Sequence, residues 1–349
     1  MDYIFFLFLS SGIFLGWSLG ASDASNIFGT AVGTKMIKFR TAAIISSIFI
    51  IIGAVVAGSG ASETLGELGS VNAIAGAFMV ALAAALTIYI MVDFGLPVST
   101  SQAIVGAIIG WNLYSGKSTD ITVLSKIVST WVICPVLAGI ISVIIFIIVK
   151  SFLKRSHIHL IKLDNYTRIG LVLVGAFGAY ALGANNISNV MGVFVPSSPL
   201  KDINFQYFTL SNVHILFLIG AIAISIGVFT YSHKVMHTVG KGIMSMSPIV
   251  ALIVVFSQAM VLFLFSSEGL RDFLVSHSLP ALPLVPVSST QAVIGAILGI
   301  GILKGGKGIK WSIIGKIAIG WVLTPTLATI ICFISLFFLE NVFNLTVYS

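Results

Sequence analysis

Two short polar stretches of nearly the same sequence lie in otherwise apolar surroundings. Residues 19–29 read LGASDASNIFG, and residues 182–192 read LGANNISNVMG. A charge at membrane depth costs about 2.5–3.5 kcal/mol on insertion scales, so Asp23 is a functional candidate by default. Ser and Asn can also form plain polar contacts between membrane helices. The repetition of the stretch favours a functional role over simple packing.

The composition is that of an integral membrane protein. Of the 349 residues, 58% are hydrophobic and 8% are charged, against about 25% charged residues in soluble domains. Apolar runs long enough to cross the hydrocarbon core recur along the whole chain. The clearest are residues 41–58, 71–92, 121–149, 215–230, 248–265 and 311–339. We therefore predict an all-α polytopic membrane protein.

The charges do not predict nucleic-acid binding, although the formal net charge is +7. The basic residues lie in short loops between the apolar runs. The N-terminal sequence MDYIFFLFLSSGIFLGW has no basic region and carries Asp2, so we predict a first membrane segment and no cleaved signal peptide. Cys134 and Cys332 both lie in apolar runs, which predicts packing residues and no disulfide.

A second element is also repeated. Residues 95–110 read GLPVSTSQAIVGAIIG, and residues 283–299 read PLVPVSSTQAVIGAILG. The match continues downstream, where Trp131 corresponds to Trp321 and Pro135 corresponds to Pro325. We predict two homologous halves. Their boundaries are residues 1–150 for the first transmembrane repeat, 151–168 for a cytoplasmic linker and 169–349 for the second repeat.

The distribution of charge predicts how the halves are oriented. Cytoplasmic loops are enriched in Lys and Arg, and most of the 18 basic residues fall in such loops when the N-terminus is outside and each half crosses five times. An odd number of crossings inserts the second half upside down. Inverted-topology repeats are typical of secondary transporters, with the site near the midplane. We predict about 10–12 membrane segments with discontinuous helices and re-entrant hairpins, and both termini extracellular.

The first repeated element has the chemistry of a cation site. Gly20 and Gly29 bracket the polar residues around Asp23 and predict an unwound stretch, which we expect in each half. Carbonyl oxygens exposed by unwinding suit a small hard cation such as sodium.

The second repeated element has the chemistry of an oxyanion site. Three consecutive hydroxyl residues follow a Pro-Val pair in each copy, where a new helix is expected to begin. Backbone N–H groups and the helix dipole favour anions there, although a single copy could be an ordinary N-cap. Neither element contains Lys or Arg, so co-bound cations must balance the charge, which predicts cation-coupled symport. The hydroxyl residues are Ser99, Thr100, Ser101, Ser288, Ser289 and Thr290.

Glu63 follows the second apolar run, in GSGASETLGEL. It is either an ordinary extracellular-loop acid or a gate or ion-entry residue.

These motifs resemble those of the inorganic phosphate transporter (PiT) family. LGASDASNIFGTAVG is similar to the family's GANDVANA-type signature, and the two PVS elements are similar to its PVSTTH-type hairpins. ASETL around Glu63 and HTVGKGI at residues 237–243 are similar to two further family segments. The resemblance covers the whole chain, in order. It implies a sodium- or proton-coupled phosphate symporter with inverted repeats, often found as a homodimer.

The resemblance also implies roles for individual residues. The Ser and Thr clusters would hold phosphate. The signature residues would hold sodium or line the binding site. Gln102 and Gln291 stand where many relatives have His and would serve either ligand. This sequence departs from the family at Ser22, in place of Asn, and at Asn186, in place of Asp. The implied signature residues are Asp23, Asn26, Asn186 and Asn189.

We predict a secondary active importer of inorganic phosphate with sodium as the co-substrate and without a cofactor, in the cell membrane. The alternatives are a proton- or sodium-coupled permease for sulfate or another oxyanion, and a passive anion channel. An enzyme is disfavoured because the sequence has no HExxH motif and no second intramembrane aspartate for a dyad.

Overall fold

A computed structural model describes residues 3–93, 98–156, 158–204, 209–233, 236, 244, 246–306 and 308–348. Two of the sequence motifs fall partly or wholly outside these residues. They are the basic stretch at residues 237–243 and the start of the first hairpin element at residues 95–97.

The described residues are mostly helical. The helices of the first predicted half are α1 (Tyr3–Ser22), α2 (Ala24–Gly33), α3 (Phe39–Ala57), α4 (Ser59–Leu68), α5 (Ile74–Asp93), α6 (Thr100–Ser115) and α7 (Ile121–Arg155). Those of the second are α8 (Leu160–Met191), α9 (Asn212–Thr230), α10 (Pro248–Ser266), α11 (Glu268–Ser276), α12 (Ser289–Leu303) and α13 (Trp311–Asn341). A 3₁₀ turn, Gly192–Phe194, follows α8, and the two-residue strands β1 (Ile203–Asn204) and β2 (Thr209–Leu210) pair antiparallel.

Eight helices of the described residues are long and apolar enough to cross a membrane. They confirm the predicted polytopic helical class. The two helices that follow the hydroxyl clusters, α6 and α12, are shorter, at 16 and 15 residues. The eight are Tyr3–Gly29, Phe39–Ala57, Ile74–Asp93, Ile121–Arg155, Leu160–Phe194, Asn212–Thr230, Pro248–Ser266 and Trp311–Asn341.

Three local expectations need correction. The predicted linker is helical over residues 151–155 and 160–168, because α7 and α8 extend beyond their apolar runs. Glu63 lies on the helix α4 and not in a loop. The first motif is interrupted at Asp23, between α1 and α2, whereas the second motif stays helical to Met191. An intact helix pairs its own carbonyls, so the second copy must act through side chains.

Helices of one half pack against helices of the other in matching pairs. α6 packs against α13, and its counterpart α12 packs against α7. In the same way, α1 packs against α9, and α8 packs against α3. Reciprocal contacts of this kind are what a two-fold relation between similar halves produces.

Glycines allow the closest of these contacts. A Cβ atom at Gly106 on α6 would overlap the carbonyl oxygen of Pro325 on α13, and one at Gly295 on α12 would overlap that of Pro135 on α7. Small residues let membrane helices approach to backbone contact, where van der Waals packing holds them together. The repeated Pro and Gly positions of the sequence therefore contact each other across the two halves.

The helices α3 and α9 follow the two copies of the first motif and run antiparallel to each other. The Phe39 ring, at the start of α3, lies 4.8 Å from the ring of His233, just after the end of α9. At the other end, Gly58 lies against Phe217, near the start of α9. This geometry supports the predicted inversion.

Candidate functional site

Each hydroxyl cluster forms the start of a helix. We call residues 98–102 the first polar turn and residues 287–291 the second polar turn. Ser99 is the N-cap of α6, where its Oγ accepts a hydrogen bond from the Gln102 backbone N–H over 3.3 Å. Ser288 is the N-cap of α12 and accepts from the Gln291 N–H over 3.1 Å. Because these oxygens act as acceptors, each hydroxyl proton stays available for an anion.

Asp23 connects the first motif to the second polar turn. Its Oδ2 accepts a hydrogen bond from Ser289 Oγ over 2.8 Å, and its Oδ1 accepts one from Ser22 Oγ over 3.1 Å. The side chain is buried, with 4% of its surface exposed. The carboxylate therefore lies beside an element that suits an oxyanion.

The remaining motif residues cross between the halves in two matching chains. Asn189 Nδ2 donates to Ser101 Oγ over 2.9 Å, and Ser101 Oγ donates to Val287 O over 3.3 Å. In the other chain, Asn26 Nδ2 donates to Thr290 Oγ1 over 3.5 Å, and Thr290 Oγ1 donates to Val98 O over 3.2 Å. Each motif thus binds the polar turn of the opposite half.

The second motif also carries a network of amides. Asn186 Oδ1 accepts hydrogen bonds from Asn185 Nδ2 over 3.2 Å and from Asn189 Nδ2 over 3.0 Å. Asn186 occupies the position that corresponds to Asp23, so a neutral amide stands where the first half has a carboxylate. All three Asn side chains are fully or almost fully buried.

Four predicted site residues have a buried polar atom without a hydrogen-bond partner. Each such atom costs about 1–3 kcal/mol of desolvation unless something binds it. Three are oxygens, which suit a hard cation or a donor on the substrate, and one is an NH₂ group, which suits an anion. They are Gln102 Oε1, Gln291 Oε1, Asn189 Oδ1 and Asn186 Nδ2.

No basic side chain balances Asp23 in the described part of the chain. The ion pairs found there are Arg168 with Asp164 and Arg271 with Asp272, and both are exposed. A buried charge is normally paired or bound to a cation. The site therefore combines hydrogen-bond donors that suit an anion with the Asp23 carboxylate, which no Lys or Arg side chain of the described residues neutralises.

Glu63 lies apart from this cluster and lines a cavity of about 270 Å³. The cavity is also lined by Ser59, Ser62 and Gly192, the last residue of the second motif. Ser59 Oγ donates to Glu268 Oε1 over 2.9 Å, which places a second carboxylate nearby. Glu63 and Gly192 therefore line one cavity, and Gly192 follows Asn189 by three residues along the chain.

The site residues predicted from the sequence leave out two buried polar residues. Asn185 is fully buried and hydrogen-bonds both backbone groups of Val287. Gln258 on α10 is buried, and neither its Oε1 nor its Nε2 has a partner. An amide side chain in the otherwise largely apolar run FSQAMVL was the available signal for Gln258. The repeat itself pointed to Asn185, which corresponds to Ser22.

The fold and site are those of a polytopic membrane protein with two helix starts converging on a buried polar centre. A sequence profile described as the phosphate transporter family matches residues 19–332 and 283–346. The chain therefore belongs to the phosphate transporter family. That family consists of transporters and not of enzymes.

Individual relatives agree over almost their full lengths. A protein of Methanocaldococcus jannaschii named "Putative phosphate permease" is 29% identical over 321 residues, which cover 92% of this chain and 93% of the relative. A protein of Haemophilus influenzae with the same name is 26% identical over 420 aligned residues, covering 95% and 96%. The solved structure titled "The sodium-dependent phosphate transporter" matches with a TM-score of 0.79 at 24% identity, covering 97% and 99%, and shows the same fold.

Proposed function

We propose that the chain imports inorganic phosphate together with sodium, by alternating access to the buried site. The main observation in favour of coupling between phosphate and sodium is the 2.8 Å contact between Ser289 and Asp23. Two like charges 4 Å apart repel by about 4 kcal/mol at an effective dielectric constant near 20. A phosphate anion on the second polar turn would meet that repulsion from Asp23. A sodium ion between them removes the repulsion, so each ligand helps the other to bind.

The unpaired oxygens support phosphate as the anion. Gln102 Oε1, Gln291 Oε1 and Asn189 Oδ1 are acceptors without a donor. Phosphate near neutral pH carries at least one proton and can donate to such an oxygen, whereas sulfate cannot. The hydroxyls of Ser99, Thr100 and Ser288 and the N–H groups at the starts of α6 and α12 serve as its donors. The hydroxyls of Ser101, Ser289 and Thr290 would join them only by turning from their present acceptors.

Glu63 is proposed as an entry residue for sodium. It lines the same cavity as Gly192, and Glu268 adds a carboxylate beside Ser59. Carboxylates at the mouth of a cleft raise the local concentration of cations.

The proposed topology places both termini outside the cell membrane and the junction of α7 and α8 inside. The antiparallel pair α3 and α9 supports it, as do Lys154 and Arg155 at the end of α7. Native Cys134 and Cys332 are buried, so added cysteines can be labelled selectively. With an impermeant maleimide on intact cells, Tyr3→Cys should react and Lys162→Cys should react only after permeabilisation. The reverse result would overturn the topology. The homodimer stays a prediction.

Radiolabelled phosphate uptake into proteoliposomes tests the function. The purified chain is given an inward sodium gradient, the same gradient of potassium, or an inward proton gradient, with and without unlabelled sulfate. We expect uptake that requires sodium and resists sulfate. Uptake driven equally by potassium would contradict sodium coupling. Uptake driven by a proton gradient would show that the coupling ion is the proton, and inhibition by sulfate would contradict the proposed specificity for phosphate.

A further inference from the structure

The two polar turns are held by matching contacts and by further contacts that differ. In the matching contacts, Asn189 binds Ser101 of the first polar turn and Asn26 binds Thr290 of the second. The second polar turn has an additional attachment. Asn185 Nδ2 donates to Val287 O over 2.7 Å, and the Val287 N–H donates to Asn185 Oδ1 over 3.0 Å.

Asn185 therefore satisfies both backbone groups of one residue, at the point where the chain enters α12. The side chain has no exposed surface, so water does not compete for these bonds. Two bonds from one planar amide also fix the orientation of the backbone unit. Ser288, Ser289 and Thr290 follow directly, so their positions depend on this attachment.

The corresponding residue of the first half makes different bonds. The Ser22 hydroxyl donates to Ser18 O over 3.1 Å, Leu19 O over 3.3 Å and Asp23 Oδ1 over 3.1 Å. None of these partners belongs to the first polar turn. A Ser side chain is also shorter than Asn and has no carbonyl, so it cannot form the paired contact that Asn185 forms.

We propose that Asn185 is a positioning residue that clamps the second polar turn to α8, and that the first polar turn is the one that separates from the opposite half during transport. Only the effect of the clamp on transport rests on the proposed function. The unequal attachment is a property of the protein alone. In this assignment α8, Asp23 and the second polar turn stay together, and opening breaks the bonds of Ser101 and of Val98 O.

Hydrogen–deuterium exchange of the full-length protein in detergent or nanodiscs tests the clamp without transport. We expect slower exchange in peptides containing residues 287–291 than in peptides containing residues 98–102. Asn185→Ser should speed exchange at residues 287–291 by about tenfold, the effect of one to two net hydrogen bonds. Asn185→Asp keeps the acceptor for the Val287 N–H but loses the donor, so it should give an intermediate rate. Ser225→Ala, which removes a buried hydroxyl bonded within α9, is the matched control.

The reciprocal variant separates the clamp from general loosening. Ser22→Asn supplies the first half with the residue that clamps the second, and it should slow exchange at residues 98–102. In uptake assays, Asn185→Ser should raise the phosphate KM by about tenfold with a smaller change in maximal rate. Ser22→Asn should lower the maximal rate with little change in KM.

Equal exchange of the two turns in the unmodified protein would overturn the proposal. So would an Asn185→Ser variant that stays folded by size exclusion and leaves exchange at residues 287–291 unchanged. If the unmodified protein does not transport phosphate, the proposed function fails, while the exchange rates still decide the clamp.

Discussion

Ser289 Oγ donates a 2.8 Å hydrogen bond to Asp23 Oδ2 across 266 residues of sequence. The bond joins the start of α12 to the interruption between α1 and α2. It places the buried carboxylate of one half on the hydroxyl cluster of the other. Residues of the two separate motifs are therefore in direct contact. If the proposed ligands bind there, substitutions in either motif should affect the binding of both.

Asp23→Asn should abolish the sodium dependence of phosphate uptake. The variant keeps the size of the side chain and an oxygen for Ser289, but it removes the charge that a cation would balance. We expect sodium-driven uptake to fall between about tenfold and a hundredfold, the loss expected for an interaction with a charged group. Uptake against sodium concentration in proteoliposomes gives the result. Asp164→Asn, in an exposed ion pair with Arg168, is the control, since such pairs contribute about 0–1 kcal/mol. Full sodium dependence in Asp23→Asn would remove this residue from the coupling site.

Gln102→Leu and Gln291→Leu should weaken ligand binding without destabilising the fold. Each Oε1 is buried without a partner, so its replacement by an apolar side chain recovers about 1–3 kcal/mol of desolvation. We expect an unchanged or higher melting temperature and a half-saturating concentration of sodium or phosphate raised by about tenfold. Thermal unfolding and uptake titrations of both ligands are measured on the same preparation. A variant that loses stability and keeps its affinities would show that the amide has a structural role. Thr87→Val, which removes a buried hydroxyl bonded within α5, is the control.

Gly106→Ala and Gly295→Ala should destabilise the protein because each new methyl group would overlap a carbonyl oxygen of the opposite half. Overpacking of this kind costs about 1–3 kcal/mol. Gly315→Ala on α13, where nothing lies within 4 Å of the added atom, should be neutral or slightly stabilising, since Ala favours helix. The melting temperatures of the three variants and of the unmodified protein are measured in the same detergent and compared. Equal values for all three would contradict the close packing of α6 on α13 and of α12 on α7.

The sequence predicted the membrane class and the motif residues because repetition and apolar length are visible in one dimension. It did not predict that Gly106 contacts Pro325 and Gly295 contacts Pro135, since apolar patterns mark a helix but do not choose its partner. It also predicted an unwound stretch in both signature copies. The chain is interrupted at Asp23 and stays helical through Asn186, because helix continuity depends on the neighbouring contacts of each copy. The role of Asn185 emerged only once Val287 was placed beside it.

Glu63→Gln should reduce the apparent affinity for external sodium, and only at low ionic strength. The residue lines the same cavity as Gly192 and lies apart from the buried cluster, so its charge acts through the local concentration of cations. Salt screens such effects, with a Debye length of about 10 Å at 0.1 M. We expect the half-saturating sodium concentration to rise by about twofold to threefold at low salt, and the difference to vanish when choline chloride is added. Glu67→Gln is the matched control, because Glu67 is exposed one turn further along α4 and is not among the residues that line the cavity. An equal effect of both substitutions would indicate a general surface charge, and a Glu63 effect that persists at high salt would indicate direct coordination of the ion.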